Sequence, residues 1–549
     1  MRKGSVGAVR LGSLDGETLQ AALVTAAQWL ERRAEAINAL NVFPVPDGDT
    51  GLNMSLTLAS AAREAGTVEG ASVGPVAKAM ARGALLGSRG NSGVILAKLL
   101  GGVAEEIATC QLLDARNLTL ALRAGAKAAY EALANPVEGT ILTVARAAAA
   151  GAAAVSSGDI IEVLEAAHRS AQVAVAETPD LLPVLKQASV VDAGGEGFRI
   201  LLEGLLFHLR GDTLPEGASG PATWADLSSV HQGDGDFYGY CTEILIQGRG
   251  LDAAAIRQQV SALGSSVLVV GDGELIKLHV HTPRPGAILD FATDLGELLK
   301  VKIDNMQIQH EEFAARASTS GLASREPALK REPGTSLVAV TSGNGVARVF
   351  ESLGVTVVDG GSTMNPSVED IGRAIEAARR SDVLVLPNNP NVILAAEEAA
   401  RLVPDRAVRV IPTRNVAQGV AAALALSPEA DAAANVAGCC AASARTHCIE
   451  MTRAARSATL SGIDIGAGEC FGLLDGEPAA ADRGFRAVLD RSLQKLSTNT
   501  LEIATVYVGA DGTAEEADDL KQCLEENRGV EVEIVSGGQP NYPYIISLE

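Results

Sequence analysis

Two aspartates separated by one glycine, Asp47-Gly48-Asp49, follow Pro44 and Pro46, so the loop that carries them is stiff on one side and free to bend in the middle. Such a loop aims two carboxylates at one point. Hard divalent cations take oxygen ligands, and Mg2+ commonly uses one or two carboxylates and completes its shell with water and phosphate oxygens. The residue types therefore suit a Mg·ATP clamp better than an all-protein calcium cage. Upstream, Asn41 offers an amide oxygen as a third ligand. Thr50, Asn53, Met54 and Ser55 open the next helix, where hydroxyl, amide and backbone N–H groups can meet phosphates. A bare Asp-Gly-Asp is also an ordinary surface turn. The longer string from Asn41 to Gly51 changes those odds.

A second element, Gly87-Ser88-Arg89-Gly90-Asn91-Ser92-Gly93, leads into a helix expected from Val94. Its glycines would let the backbone approach phosphates, the helix start would supply oriented N–H groups, and Arg89 would balance charge. It matches neither a Walker A loop nor a dinucleotide fingerprint. Taken alone, it reads better as a tight turn between helices.

His279 and His281 stand two apart in a strand-like run and so project from one face. Paired imidazoles are natural zinc ligands, and Cys241 at the start of another predicted strand could add a thiolate, with Glu243 a further candidate by alternation. Half-buried strand histidines are the plainer reading of the pair. In the last third, Thr341-Ser342-Gly343, Asp359 to Ser367 and Pro387-Asn388-Asn389-Pro390 each follow a predicted strand, where α/β sheets bind ligands and where capping turns also occur. His447, Cys439, Cys440 and Cys448 read as core residues of an Ala-rich stretch rather than as a metal cluster.

The elements that must position these groups change character along the chain. From about 17 to 210, Ala and Leu dominate and apolar residues recur at three and four, which predicts helices over Leu19 to Leu40, Val76 to Leu85, Val94 to Thr109, Leu118 to Ala134, Ile141 to Ala154, Ile160 to Val175 and Glu196 to His208. An all-helical domain follows. Beyond a Gly-, Pro- and Ser-containing stretch at 211–226, strands at Tyr240 to Gln247, Ser266 to Gly271 and Leu275 to His281 enclose a helix from Leu251 to Leu263, a small α+β pattern. After a second linker-like stretch, 314–335, strands such as Ser336 to Val340, Val355 to Val358, Val383 to Leu386 and Val408 to Ile411 alternate with helices, which predicts parallel α/β architecture. The expected domains are 1–213, 228–315 and 336–549.

Together the acidic and glycine strings resemble the ATP-binding domain of the dihydroxyacetone kinase family, and more closely the three-domain fatty acid kinases, over essentially the whole chain. That resemblance implies an α-helical barrel with Mg2+ at one mouth, Asp47 and Asp49 as its ligands, and Arg89 among the catalytic groups. It further implies nucleotide contacts from the loops holding Glu138-Gly139-Thr140 and Asp192-Ala193-Gly194, zinc at Cys241, His279 and His281, and a C-terminal domain related to DegV-type fatty-acid-binding proteins. The implied reaction is phosphorylation of a fatty acid carboxylate presented by a separate DegV-type protein, by a homodimer. One departure stands out: dihydroxyacetone kinases carry a third aspartate where this chain has Val42, which leaves the third Mg2+ ligand to Asn41. A kinase for a small hydroxylated molecule and a nucleotide-sensing regulator without turnover are the competing readings; the first lacks the histidine motif of a dihydroxyacetone-binding protein.

The bulk numbers agree with this class. At 549 residues the chain exceeds one core at about 100–200 residues per domain. Its net charge of −22 repels a phosphate backbone, so nucleic acid is not an expected partner, and a nucleotide site here needs metal ions and oriented N–H groups. Seven cysteines without a regular framework suit a reducing compartment. Met1 to Asp15 holds no apolar stretch, and the Ala-rich runs at 141–155 and 417–444 are too short or too charged to span a bilayer. Cytoplasm is the expectation.

Overall fold

The computed structural model describes residues 10–41, 48–133, 135–215, 240–248, 251, 253–260, 263, 265–271, 275–282, 284–305, 332–496 and 501–549. Asp47 and most of both expected linkers lie outside these residues, as do the side chains of Cys241, Glu243, His279 and His281. The chain divides into two compact units, Met1–Gly220 with Arg331–Glu549, and Pro221–Lys330.

The first unit begins with helices. After the short strand β1 (Ser13–Leu14) come α1 (Gly16–Arg32), α2 (Ala34–Asn38), α3 (Thr50–Ala65), α4 (Val73–Gly87) and α5 (Gly90–Glu106). The strand β2 (Leu113–Asp114) pairs with β1, and α6 (Ala115–Glu131), α7 (Ile141–Ala153), α8 (Ile160–Leu181), α9 (Pro183–Ala188) and α10 (Ala193–Arg210) follow. Helices α1, α3, α4, α5, α6, α7, α8 and α10 each pack on the next, and α10 returns to α1, so the ring closes into a barrel. Ala and Gly make this closeness possible. A Cβ on Gly102 would come within 2.6 Å of the Ala124 carbonyl oxygen, and one on Gly125 within 2.7 Å of the Leu99 carbonyl oxygen. Leu30, Ile37, Met54, Leu58, Leu96, Leu142, Ile160 and Leu164 fill the interior. The helix expected from Leu19 to Leu40 breaks at Arg33, which caps α1 and lets α2 turn toward the acidic loop.

The second unit is an antiparallel sheet in the order β4-β5-β3-β6, made of β3 (Tyr240–Gln247), β4 (Ser265–Gly271), β5 (Leu275–Thr282) and β6 (Glu297–Asn305). Helices at Ala253–Val260 and Pro285–Leu295 pack on it through Ile256, Val260, Ile288 and Ala292 against Ile244, Ile246, Ile276 and Leu278. Register places Cys241 opposite His281 and Glu243 opposite His279 on adjacent strands.

The rest of the first unit carries two sheets. Strands β7 (Glu332–Thr341), β8 (Thr356–Asp359), β9 (Arg380–Leu386) and β10 (Ala407–Val410) form a parallel sheet in the order β10-β9-β7-β8. Helices at Val368–Ala377 and Ile393–Leu402 cover one face, with Val338, Val340, Ile371, Ile375, Val383 and Ala396 between them. Helices at Val416–Leu424 and Ala432–Arg445 pack on the other, with Cys439 and Cys448 buried there. Val94 of α5 joins the first of these cores, so the barrel and the sheet domain share apolar contacts. The expected parallel pattern stops at Val410. From His447 onward a six-stranded sheet is mostly antiparallel, because hairpins such as Cys470–Leu474 with Glu477–Asp482 need only a tight turn, which the sequence supplies as Asp475-Gly476.

Candidate functional site

The acidic loop returns onto the end of α2. Asn38 Oδ1 accepts from the Gly51 N–H at 2.7 Å and so does the capping that Asp49 leaves undone, while Asn41 Oδ1 accepts from the Thr50 hydroxyl at 2.8 Å. A Cβ on Gly51 would sit 2.3 Å from the Ala34 carbonyl oxygen, which explains a glycine where α2 and α3 cross. Asp49 is buried, and its carboxylate turns away from its own helix toward the sheet domain. There Asn365 Nδ2 donates to Asp49 Oδ2 at 2.5 Å across 316 residues of sequence.

The glycine string forms a tight connection between two helices. Helix α4 runs to Gly87 and α5 starts at Gly90, leaving Ser88-Arg89 as the connection. Gly87 and Gly93 allow both helices to press on α3, since a Cβ there would meet Ser60 at 2.3 Å and Thr57 at 2.5 Å. Gly90, with φ +56°, takes the left-handed turn into α5. Ser88 is buried, its hydroxyl donates to the Leu85 carbonyl, and its carbonyl accepts from Val368 N–H. Arg89, expected to meet phosphate, instead donates to the Asn365 carbonyl at 3.0 Å and lies 3.7 Å from Asp370. Asn91 donates to Asn391 at 3.2 Å, and Lys98 pairs with the buried Glu398 at 2.6 Å. The sheet domain thus clasps the start of α5.

Between the barrel and the sheet domain lies a cavity of about 320 Å3 lined by Asn41, Gly48, Asp49 and Thr50 on one side and by Met364, Asn388, Asn391, Arg414, Glu450, Asp475 and Tyr542 on the other. Asn53, one turn along α3 from Asp49, is buried with Oδ1 lacking a partner, and Asn365 Oδ1 and Asn91 Oδ1 are orphaned in the same way, though none of the three lines the cavity. Buried amide oxygens without donors and a carboxylate at a helix start fit a hard cation and its phosphates. Met54 and Ser55 do not reach the cavity: Met54 is fully buried beside Gly197, and the Ser55 hydroxyl returns to the Leu52 carbonyl.

Thr140 and Asp192 come together elsewhere, at the starts of α7 and α10. The Thr140 hydroxyl caps Leu142 N–H, Asp192 accepts from Gly195 N–H at 2.6 Å, and Gly194 lies against Ile141, while Ala193 is buried in the first turn. Neither loop lines the cavity that holds Asp49. Burial pushes the Asp192 carboxyl up from its ordinary 3.8 to about 6, against the lowering effect of the Gly195 and Ile141 N–H groups. Between these values the folded state keeps a proton that the unfolded chain has released, so this group's contribution to stability falls as pH rises from about 4 to 6. Asp192→Asn keeps a cap acceptor and removes the titration. Its urea midpoints from pH 4 to 7 are expected to lose that decline; a profile parallel to the parent's would refute the assignment.

Of the opposite wall, sequence reasoning named the loops holding Met364 and Asn388 but not Arg414, Glu450, Asp475 or Tyr542. Met364 and Asn388 carried a signal, since both sit in strand-end loops, and the structure finds both at positive φ, +58° and +55°. Nothing local joined those loops to Asp49.

Three family descriptions match the chain: a DAK2 domain over residues 44–207, a fatty acid kinase FakA-like middle domain over 237–313 and a fatty acid kinase FakA-like C-terminal domain over 336–549. "Protein YloV" of Bacillus subtilis is 39% identical, covering 98% of this chain and 99% of its own. An uncharacterized protein of Staphylococcus haemolyticus is 35% identical over 98% of this chain and its own full length. Among solved structures, a DegV family protein from Corynebacterium glutamicum aligns with a TM-score of 0.31 at 17% identity, over 40% of this chain and 98% of that one.

Proposed function

Because the chain belongs to the fatty acid kinase FakA-like family, we propose that it transfers the γ-phosphoryl group of ATP to the carboxylate of a fatty acid carried by a separate DegV-type binding protein, giving an acyl phosphate. The observation that supports this best is the buried Asp49 carboxylate at the start of α3, facing a cavity and relieved of capping by Asn38.

Mg2+, when bound, neutralises phosphate charge; Asp49, with Asp47 and the Asn41 amide, would hold it. A carboxylate acceptor has a pKa near 4.3, is already ionised at neutral pH and needs no general base. What the protein must supply is position and charge balance, because one anion is brought against another. The lack of an acid–base demand distinguishes this acceptor from a hydroxyl, which would need a base within reach.

The test mixes the purified chain with Mg·ATP, a fatty acid and a DegV-type protein and traps acyl phosphate as hydroxamate. Acyl phosphate dependent on all components supports the proposal. ATP consumption only with dihydroxyacetone would transfer the chain to small-molecule kinases, and binding of ATP without turnover under any condition would make it a nucleotide sensor.

The middle unit's backbone register also supports a zinc site at Cys241, His279 and His281, with Cys241 and His281 as cross-strand partners. Cys241→Ser is expected to lower bound zinc from about one equivalent to well below half by elemental analysis, since thiolate is the strongest of the three donors. Unchanged zinc content would remove Cys241 from the set.

A further inference from the structure

The sheet order β10-β9-β7-β8 reverses direction between β7 and β9, and the crevice outside the carboxyl ends of such strands is where open α/β sheets bind ligands. Here that crevice does not face solvent alone. Its loops form the wall opposite Asp49, with Asn388 held between the Val340 carbonyl at 2.9 Å and the Thr413 hydroxyl at 2.8 Å in a left-handed conformation that costs free energy.

The charges around the cavity are unbalanced. Among the described residues lining it, Asp49, Glu450 and Asp475 are acidic and Arg414 is the one cation. Arg89 cannot supply a second, because its guanidinium is engaged by Asn365 and Asp370. Arg414 has a fixed backbone and an uncommitted head: its N–H donates to Gln418 Oε1 at 2.8 Å, Thr413 and Asn415 on either side are buried, and Asn415 caps the following helix. Its guanidinium makes no hydrogen bond or ion pair among the described residues.

We infer that the sheet domain completes the phosphate end of the nucleotide site within the same chain, and that Arg414 binds the γ-phosphate across the cavity from Asp49. This rests on the kinase reading and adds a residue of the other domain to it. A guanidinium fork suits two phosphate oxygens, whereas an ammonium offers a point charge. The α- and β-phosphates are left to the barrel side, so the contribution is selective for a triphosphate over a diphosphate.

Equilibrium binding of the β,γ-imido analogue of Mg·ATP and of Mg·ADP to the full chain separates the possibilities. Arg414→Ala is expected to weaken the triphosphate about tenfold or more, as a charge-assisted contact would, and to leave the diphosphate within about twofold; Arg414→Lys should recover part of the loss. Arg414 is exposed, so the melting temperature should be unchanged. Equal loss for both nucleotides, or none for either, overturns the assignment while leaving nucleotide binding intact. Failure of the unaltered chain to bind either nucleotide overturns the kinase reading and this inference with it.

Discussion

Asp49→Ala is expected to lower phosphoryl transfer by about three orders of magnitude, the scale at which a preorganised charge at a reacting phosphoryl group acts. The fold should survive, because Asp49 does not cap its own helix and Asn38 holds the Gly51 N–H instead. Removing the carboxylate also releases Asn365 Nδ2, which retains its bond to the Thr363 carbonyl. Circular dichroism and a thermal melt, taken beside acyl phosphate formation, distinguish lost chemistry from lost structure. A folded Asp49→Ala variant with more than about a tenth of the parent rate would remove the carboxylate from the proposed Mg2+ site.

Asn365→Asp carries the next largest expected effect, for an electrostatic reason. At 2.5 Å from Asp49 Oδ2, a second carboxylate in a buried site cannot ionise alongside the first, and the pair would share a proton near neutral pH. The shared proton competes with a cation. Transfer at pH 7 should fall by about a hundredfold and recover in part as pH rises, with a raised Mg2+ requirement. Asn365→Ala removes only the neutral bond and should cost about tenfold, without the altered pH dependence. Indistinguishable pH profiles for the two variants would show that Asn365 does not influence the ionisation of Asp49.

The barrel was legible in the sequence because helical periodicity is local, and Asp49 was legible because a short acidic loop carries its own chemical meaning. The packing of nearby residues was not legible, for an equally local reason. Gly87 and Gly93 looked like phosphate-cradling positions, and they are places where α4 and α5 press on α3. Arg89 looked like a phosphate ligand, and its guanidinium is held by Asn365 and Asp370. In both cases the deciding partner lies on another element. The loops at Asn365 and Asn388 were recognisable as strand-end loops, but which surface they would face is a property of domain packing, carried by contacts such as Val94 with the sheet core and Lys98 with Glu398. No spacing rule spans that separation.

The 316 residues between Asp49 and Asn365 also set a time. At about 5–20 residues per second, a ribosome that has finished the acidic loop needs roughly 15 to 60 seconds to reach the residue that covers it. During that interval the nascent barrel turns an uncovered carboxylate and an unclasped α5 toward solvent. The wall that faces Asp49, Arg414 included, is thus a late addition in the life of each molecule, in place only after the sheet domain has been made and folded.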